Sequence, residues 1–240
     1  MKVLLLAAGY GSRLRPITDI IPKCLVKING ICLLDYWLKI LNNDSIDEIL
    51  INTHYLAEQV EDFIINYRYK DTVHIVKEKY LLGTGGTLLK NQAFFNNEPL
   101  LLVHADNLSL FNIDDFINSH KNRPNGTLIT MMTFKTDMPQ NSGIVELNEF
   151  GVLINFYEKV ENPPGDLANA AIYIIEPEVF IFLASLKKEI IDFSTEVLPN
   201  FLNRINTYYN NIYHRDIGTI ESYESAQIEF PIIQKNYNFY

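Results

Sequence analysis

Residues 7–23 read A-A-G-Y-G-S-R-L-R-P-I-T-D-I-I-P-K and follow directly on the apolar run V-L-L-L at 3–6. A short apolar run ending in a glycine pair is the pattern of a buried strand entering a loop without side-chain bulk. Gly9 and Gly11 carry no Cβ, so their N–H groups can approach a ligand closely and reach φ > 0. Successive exposed N–H groups in such a loop make a concave anion site. Arg13 adds a rigid fork that chelates phosphate oxygens, and Lys23 adds a compact positive charge. In an open parallel sheet such a loop belongs at the carboxyl end of its strand. The parts suit a triphosphate that is handled and not merely held.

Two common phosphate motifs do not fit. A dinucleotide fingerprint needs glycine at the first, third and sixth places before a helix. Counting from Gly9, the sixth place is Leu14, and Pro16 discourages a continuous helix. A P-loop needs Gly-Lys-Ser/Thr, whereas Arg13 follows Ser12.

Strand-like runs at 3–8, 48–52, 73–76, 100–104 and 128–134 alternate with helical patterns at 33–41, 56–67, 87–95 and 113–120. In the second of these, Leu56, Val60, Phe63 and Ile64 share a side. This alternation predicts a mostly parallel sheet with crossover helices. After residue 134 the pattern changes. Runs at 144–146 and 152–157, separated by N-E-F-G, predict a hairpin-like pair; 170–175 is a further strand, and 205–214 supplies one or two more. A helix is expected over 222–230, followed by an aromatic and polar end from Pro231 to Tyr240. That end is a candidate for packing on the body or for a homo-oligomer contact. The expected organisation is one domain over 1–240, with one half at 1–134, a second at 135–226 and a tail at 227–240; the resemblance given below makes the first the nucleotide-binding and the second the sugar-phosphate-binding half.

The formal net charge of −9 argues against broad nucleic-acid or membrane-surface binding. A few local cations and a metal suffice for a triphosphate. The start, M-K-V-L-L-L-A-A-G, has too short an apolar stretch for a secretory signal. No stretch is long enough to span a bilayer. Cys24 and Cys32 have neither zinc nor redox spacing. A reduced, cytoplasmic setting is expected.

The segment resembles the sugar-1-phosphate nucleotidylyltransferases. Their signature is G-x-G-x-R-L-x-P-x-T-x-x-x-P-K, and Gly9, Gly11, Arg13, Leu14, Pro16, Thr18, Pro22 and Lys23 fill every fixed place. Four further motifs follow in the family's order. Leu82-Gly83-Thr84-Gly85-Gly86 resembles the turn that sits against the nucleobase. Asp106, at the tip of an apolar run, and Asp216, in R-D-I-G-T, fill the metal-binding places; a lone Asp at a strand end is otherwise a helix cap. Two carboxylates on one ion suit Mg²⁺, which shares hard oxygen ligands with substrate phosphates. His104-Ala105 stands where the family often has glycine. Gly143-Ile144-Val145-Glu146 followed by Phe156-Tyr157-Glu158-Lys159 resembles the sugar pocket, and Val160 replaces the usual proline. Asn169-Ala170-Ala171-Ile172-Tyr173 resembles the strand whose Asn reaches the sugar, with Ala171 in place of glycine. Asp192 and Ser194 read as helix caps. Of the histidines, His214 is the one placed to touch the site.

The resemblance covers residues 1 to about 226. It implies a Rossmann-like three-layer α/β/α sandwich with a mostly parallel mixed sheet and a small sugar-binding lobe. It implies a transferase that joins an NTP and a sugar 1-phosphate into a nucleotide-sugar, releasing pyrophosphate, with Mg²⁺ as cofactor. Ala7, Ala8, Gly9, Gly11, Ser12, Arg13, Gly83 and Thr84 are then the nucleotide-binding candidates, Arg13 and Lys23 the catalytic ones. Gly143, Glu158, Lys159 and Asn169 are those for the sugar phosphate, and Asp106 and Asp216 those for the metal. GTP with mannose or manno-heptose 1-phosphate, feeding surface polysaccharide synthesis, is the favoured pair. A thymidylyl- or uridylyltransferase of glucose 1-phosphate is the alternative, and a catalytically silent nucleotide-sugar sensor the alternative from another class. No nucleic-acid or membrane partner is expected.

Overall fold

A computed structural model of the chain describes residues 1–68 and 70–237. Compactness divides it into two units that interleave in sequence. One comprises Met1–Leu81, Val103–Phe111 and Ile212–Tyr240, the other Leu82–Leu102 and Asn112–Asn211. Elements are numbered in chain order; β2 (Lys27–Ile28) and β3 (Ile31–Cys32) form a short antiparallel pair of their own.

In the first unit β1 (Lys2–Leu6), β4 (Ile49–Thr53) and β5 (Val73–Lys77) form a parallel ladder, with Leu5 opposite Ile51 and Ile51 opposite Ile75. All five residues of β4 are buried, as expected for a strand covered on both faces. Helix α1 (Leu33–Leu41) matches the expected span, and α2 (Ala57–Ile65) lies within it. The α1 side chains Tyr36 and Trp37 are fully buried. Their polar tips still find partners: Tyr36 Oη donates to Ile28 O at 3.0 Å and Trp37 Nε1 to Asn107 O at 2.8 Å, as buried aromatic polar groups require.

A second apolar centre gathers Leu14, Ile28, Tyr36, Ile217 and Phe230. It is closed by α6 (Ile220–Asn236), whose first turn is capped by Thr219. The helix runs six residues beyond the expected end, through Pro231. A proline inside a helix removes one N–H donor; here Phe230 and Ile233 pack on the apolar centre to either side of it, which offsets that loss. Residues 238–240 of the expected tail lie outside the described residues.

In the second unit β8 (Ile129–Lys135) pairs in parallel with β12 (Ile205–Tyr209) and antiparallel with β11 (Leu167–Ile175). The expected hairpin-like pair is present as β9 (Gly143–Leu147) against β10 (Leu153–Glu158). Helices α4 (Ile113–Lys121) and α5 (Val179–Ser185) flank these strands in sequence; α5 was not expected. The helix expected over 87–95 instead spans Gly83–Lys90 as α3 and continues as a 3₁₀ turn over Gln92–Phe95. Its start lies inside the glycine run because Gly85 and Gly86 N–H donate to Ile191 O at 2.9 and 3.2 Å, which fixes the first turn. The fold class is the expected one, a mixed α/β sheet whose amino-terminal strands run parallel through crossover helices.

A polar cluster is buried in the second unit. His120 Nδ1 lies 2.8 Å from Thr130 Oγ1 and its Nε2 3.2 Å from Glu176 Oε1, and Glu176 also pairs with Arg123. Burial, helped by Arg123, pulls the His120 ring down to about 3, whereas it titrates near 6.5 in an unfolded chain. Between those values only the unfolded chain takes the proton, so this ring's contribution is whole above about pH 6.5 and fades as pH falls towards 3. Burial pushes Glu176 up, which acts in the opposite sense, so the histidine is isolated by comparison. Between pH 7.5 and 5.5, wild type is expected to lose more thermal stability than His120→Gln. Equal losses in calorimetry would refute the assignment.

Candidate active site

The chemistry-bearing residues of the first unit meet on one buried ammonium. Lys23 opens a 3₁₀ turn over Lys23–Leu25 and is 7% exposed. Its Nζ lies 2.8 Å from Asp106 Oδ2 and 3.2 Å from Asp216 Oδ1. Asp106 sits in the turn between β6 (Leu100–His104) and β7 (Asn107–Leu110), and Asp216 ends β13 (Tyr213–Asp216). The antiparallel pair β7–β13 sets Asn107 opposite Asp216, and this register brings together two carboxylates far apart in sequence. β7 was not expected; four residues, N-L-S-L, carry too little pattern to separate a strand from a loop. Asp106 is therefore a turn residue between paired strands and not a helix cap.

The Asp216 carboxylate is held on more than one side. Arg13 Nη2 lies 3.7 Å from Asp216 Oδ2, with both side chains exposed. A Cβ on Gly218 would stand 2.7 Å from Asp216 Oδ2 and 3.0 Å from Arg13 Nη2, so a side chain there would push both groups from where they meet. Arg215 pairs with Glu229 of α6 through two bonds, at 3.1 and 3.0 Å, which anchors β13 beside Asp216. Burial pulls the Lys23 ammonium down, but Asp106 and Asp216 outweigh it and hold the group above its ordinary range. Burial likewise pushes the Asp106 carboxyl up, and Lys23, then His104, outweigh it, leaving it below the usual carboxylate range. The cluster is an ion triad at neutral pH. His214 lies 3.4 Å from Ser109 Oγ through Nδ1. Burial, then His104 and Arg215, pulls it down to about 3 while the Asp106 charge opposes them, so it stands neutral beside the site.

The glycine loop is set by its neighbours. Gly11 adopts φ +62°, and a Cβ there would meet Thr18 Cγ2 at 2.9 Å, whereas a Cβ on Gly9 would point into open space. Ala7 and Ala8 are buried, whereas Gly9, Ser12 and Arg13 are exposed. Leu14, fully buried, pins the end of the loop into the apolar centre. Ala7 N–H donates to Asn52 Oδ1 at 2.8 Å. Asn52, together with His54 and Glu78, escaped sequence reasoning. The available signal was a polar residue interrupting the buried run I-L-I-N-T.

The second unit holds the remaining candidates. Gly83 has φ +72°, and a Cβ there would lie 2.5 Å from Ile191 O. Thr84 Oγ1 accepts from Phe193 N–H at 2.8 Å. The glycines of this run thus make room for residues 189–191, by backbone at Gly83 and Gly86 and by the Ile191 side chain at Gly85. Gly143 faces Glu158 across the β9–β10 pair, where a Cβ would meet Glu158 Oε2 at 2.7 Å. Lys159 follows in a left-handed conformation, φ 51°, its N–H on Ser142 O at 3.2 Å and its Nζ 3.3 Å from Glu158 Oε1. A lysine held there is backbone strain of the kind found at ligand clamps. Asn169 folds back on its own strand: Oδ1 accepts Ala171 N–H at 2.9 Å and Nδ2 donates to Tyr173 Oη at 2.6 Å. Asp192 Oδ1 accepts Thr195 N–H at 2.8 Å and caps the π-type turn Phe193–Val197; Ser194 instead bonds to Tyr173.

Ala171, which stands where the family has glycine, has φ 54° inside a break of the β8–β11 register between Asn169 and Tyr173. An L-residue is disfavoured there by about 1 kcal/mol. Ala171→Gly is expected to raise unfolding free energy by roughly 0.5–1 kcal/mol, after the loss of chain entropy that glycine brings. Urea denaturation checks it; a loss of stability would contradict the strain.

Comparison with known proteins closes the assignment. The fold is that of an α/β protein with a mostly parallel, mixed central sheet and flanking helices. The family model described as Nucleotidyl transferase matches residues 2–230, and the chain belongs to that family. It is 27% identical over 243 residues to a UTP–glucose-1-phosphate uridylyltransferase of Synechocystis, covering 94% of this chain and 62% of that protein. It is 27% identical over 228 residues to a mannose-1-phosphate guanylyltransferase of Mycobacterium tuberculosis, covering 93% and 62%. The chain thus spans less than two thirds of the length of these relatives. Among solved structures, HddC from Yersinia pseudotuberculosis superposes with a TM-score of 0.80 at 22% identity, covering 95% of this chain and 99% of that one. Its complex with GMP-PN superposes at 0.79. Among the described residues no helix is long and apolar enough to cross a membrane.

Proposed function

We propose that the chain transfers a nucleotidyl group from an NTP to a sugar 1-phosphate, giving a nucleotide-sugar and pyrophosphate. The observation that carries this reading is the meeting of Lys23, Asp106 and Asp216, with Arg13 beside them, at the end of a complete glycine-loop signature. In an in-line displacement at the α-phosphorus, negative charge grows on the phosphate oxygens. Arg13 and Lys23 offer cations to that charge, and a transfer of this kind rests on positioning and charge stabilisation. Lys159, exposed and fixed by its backbone, suits the phosphate of the second substrate, with Glu158 beside it for sugar hydroxyls. Gly143 leaves room for Glu158, and Asn169 shapes the neighbouring strand. Ala7, Ala8, Gly9, Gly11 and Ser12 supply the loop for the triphosphate, and Gly83 and Thr84 are the candidates to face the base.

The donor set fits Mg²⁺. Two carboxylates converge, and among the described residues no group of three or more His, Cys, Asp or Glu gathers as a metal cage. Magnesium takes one or two carboxylates and fills its shell with water and substrate phosphate. Asp106 and Asp216 would hold it, and when bound it supplies charge neutralisation at the phosphates.

GTP with mannose or manno-heptose 1-phosphate is the favoured pair, supported by relatives named as mannose-1-phosphate guanylyltransferases and by a GMP-PN complex of similar fold. The uridylyltransferase relative keeps the glucose 1-phosphate alternative in play. A silent sensor would have no need of both carboxylates. A matrix of NTPs against sugar 1-phosphates, read by pyrophosphate release, tests all three: one productive pair is expected, and binding without pyrophosphate in every pair would leave the sensor. A cytoplasmic place, a homo-oligomer and a product used in surface polysaccharide belong to the same proposal.

A further inference from the structure

The carboxyl end of β4 holds the glycine loop at three points. Asn52, 3% exposed, accepts Ala7 N–H through Oδ1 and donates through Nδ2 to Glu78 Oε1 at 3.1 Å, so both ends of its amide are fixed. Just past the end of β4, His54 Nδ1 lies 3.0 Å from Glu78 O and Nε2 3.1 Å from Tyr10 Oη. A carbonyl oxygen can only accept, so Nδ1 carries the proton; in the Nδ1–H tautomer Nε2 has a lone pair and Tyr10 donates its hydroxyl proton to it. The next residue, Tyr55, donates to Thr18 O at 3.0 Å, and Thr18 Oγ1 donates to Gly11 O at 2.8 Å. Tyr10 and Tyr55 rings also touch, with centroids 5.5 Å apart.

We propose that His54 is a positioning residue for the triphosphate loop: the directed chain Tyr10 Oη–H to His54 Nε2 and His54 Nδ1–H to Glu78 O holds the Gly9-Tyr10-Gly11 backbone in its anion-receiving shape. This rests on the transferase reading for the loop's ligand, but not for the clamp itself. Tyr10 is the residue between the two glycines, where the chain is otherwise least restrained, and a Cβ on Gly9 would point into open space. Without the clamp the loop would be ordered only on binding, and that cost would appear in NTP affinity.

The test uses Tyr10→Phe, His54→Ala, the double variant and His54→Gln. Each single removal is expected to raise KM for the NTP by about fivefold to tenfold with KM for the sugar phosphate unchanged, the size of one lost hydrogen bond. The double variant should lose no more than either single one, because both break the same chain. His54→Gln, whose amide can donate to Glu78 O and accept from Tyr10, should recover most of the affinity. Independently of turnover, tryptic cleavage after Arg13 should speed up several-fold in the three disrupting variants and not in His54→Gln; the bond after Arg15 precedes proline and is resistant. Additive losses, or cleavage at the wild-type rate in His54→Ala, would overturn the clamp. Absence of turnover with every substrate pair would overturn the transferase reading while the cleavage result still decides the clamp.

Discussion

Asp106→Asn is expected to lower kcat at saturating NTP, sugar phosphate and Mg²⁺ by about a thousandfold or more, while the fold survives. The carboxylate is one of two that share the Lys23 ammonium, and it is the partner nearer to Lys23. An Asn amide still offers an oxygen to Lys23, so the buried cation keeps an acceptor, and the change in melting temperature should be a few degrees. What the amide lacks is the charge that holds the ammonium and, with substrate, a divalent ion. Asp216→Asn should lose activity to the same degree with a smaller change in stability, since Asp216 is half exposed and also faces Arg13. Pyrophosphate release with thermal denaturation on both variants checks this. A near-normal kcat in either would remove that carboxylate from the reaction, and a collapse of the melting transition with modest loss of kcat would make the triad a structural device.

Lys159→Ala is expected to lower kcat/KM for the sugar 1-phosphate by about 30-fold to 1,000-fold, equivalent to roughly 2–4 kcal/mol. The lysine is 60% exposed along its side chain, and its ion pair with Glu158 is in water, where such a pair contributes about 0–1 kcal/mol to folding. Removing it should leave stability untouched. NTP affinity, measured by titration calorimetry without the sugar, should also stay, because the loop of residues 7–13 lies in the other compact unit. Lys159→Arg keeps the charge and should recover part of the loss. Equal weakening of both ligands would point to a disturbed second unit and would undo the assignment of one lysine to one substrate.

How much of this was legible in the residues follows from how local each signal is. The strand over residues 2–6 and helix α1 show in a short window, because apolar periodicity is a local property. The glycine loop was legible because its function forces residue types at fixed spacing. The convergence of Lys23 with Asp106 and Asp216 was only half legible. The motifs named all three residues, but the register of β7 on β13 that joins them is a long-range fact written in four weakly patterned residues. The start of α3 was misjudged because glycine is read as a turn; here Gly85 and Gly86 are small so that residues 189–191 can approach. The Asn52 and His54 contacts were not legible for the converse reason: a polar Asn in the run I-L-I-N-T marks an interruption, but neither it nor the following His names its partner until the fold places that partner.

The interleaving of the two units has a consequence for synthesis. Lys23 and Asp106 leave the ribosome early, yet Asp216, the Arg215–Glu229 anchor and helix α6 arrive only after residue 211. Until then Lys23 has one of its two carboxylates, and the apolar centre around Leu14 and Ile28 lacks Ile217 and Phe230. A nascent chain therefore carries its phosphate signature throughout synthesis of the second unit without the parts that complete it. The first unit is closed by a segment made after residue 211, so the arrangement itself delays assembly of its charged centre until the second unit has been made.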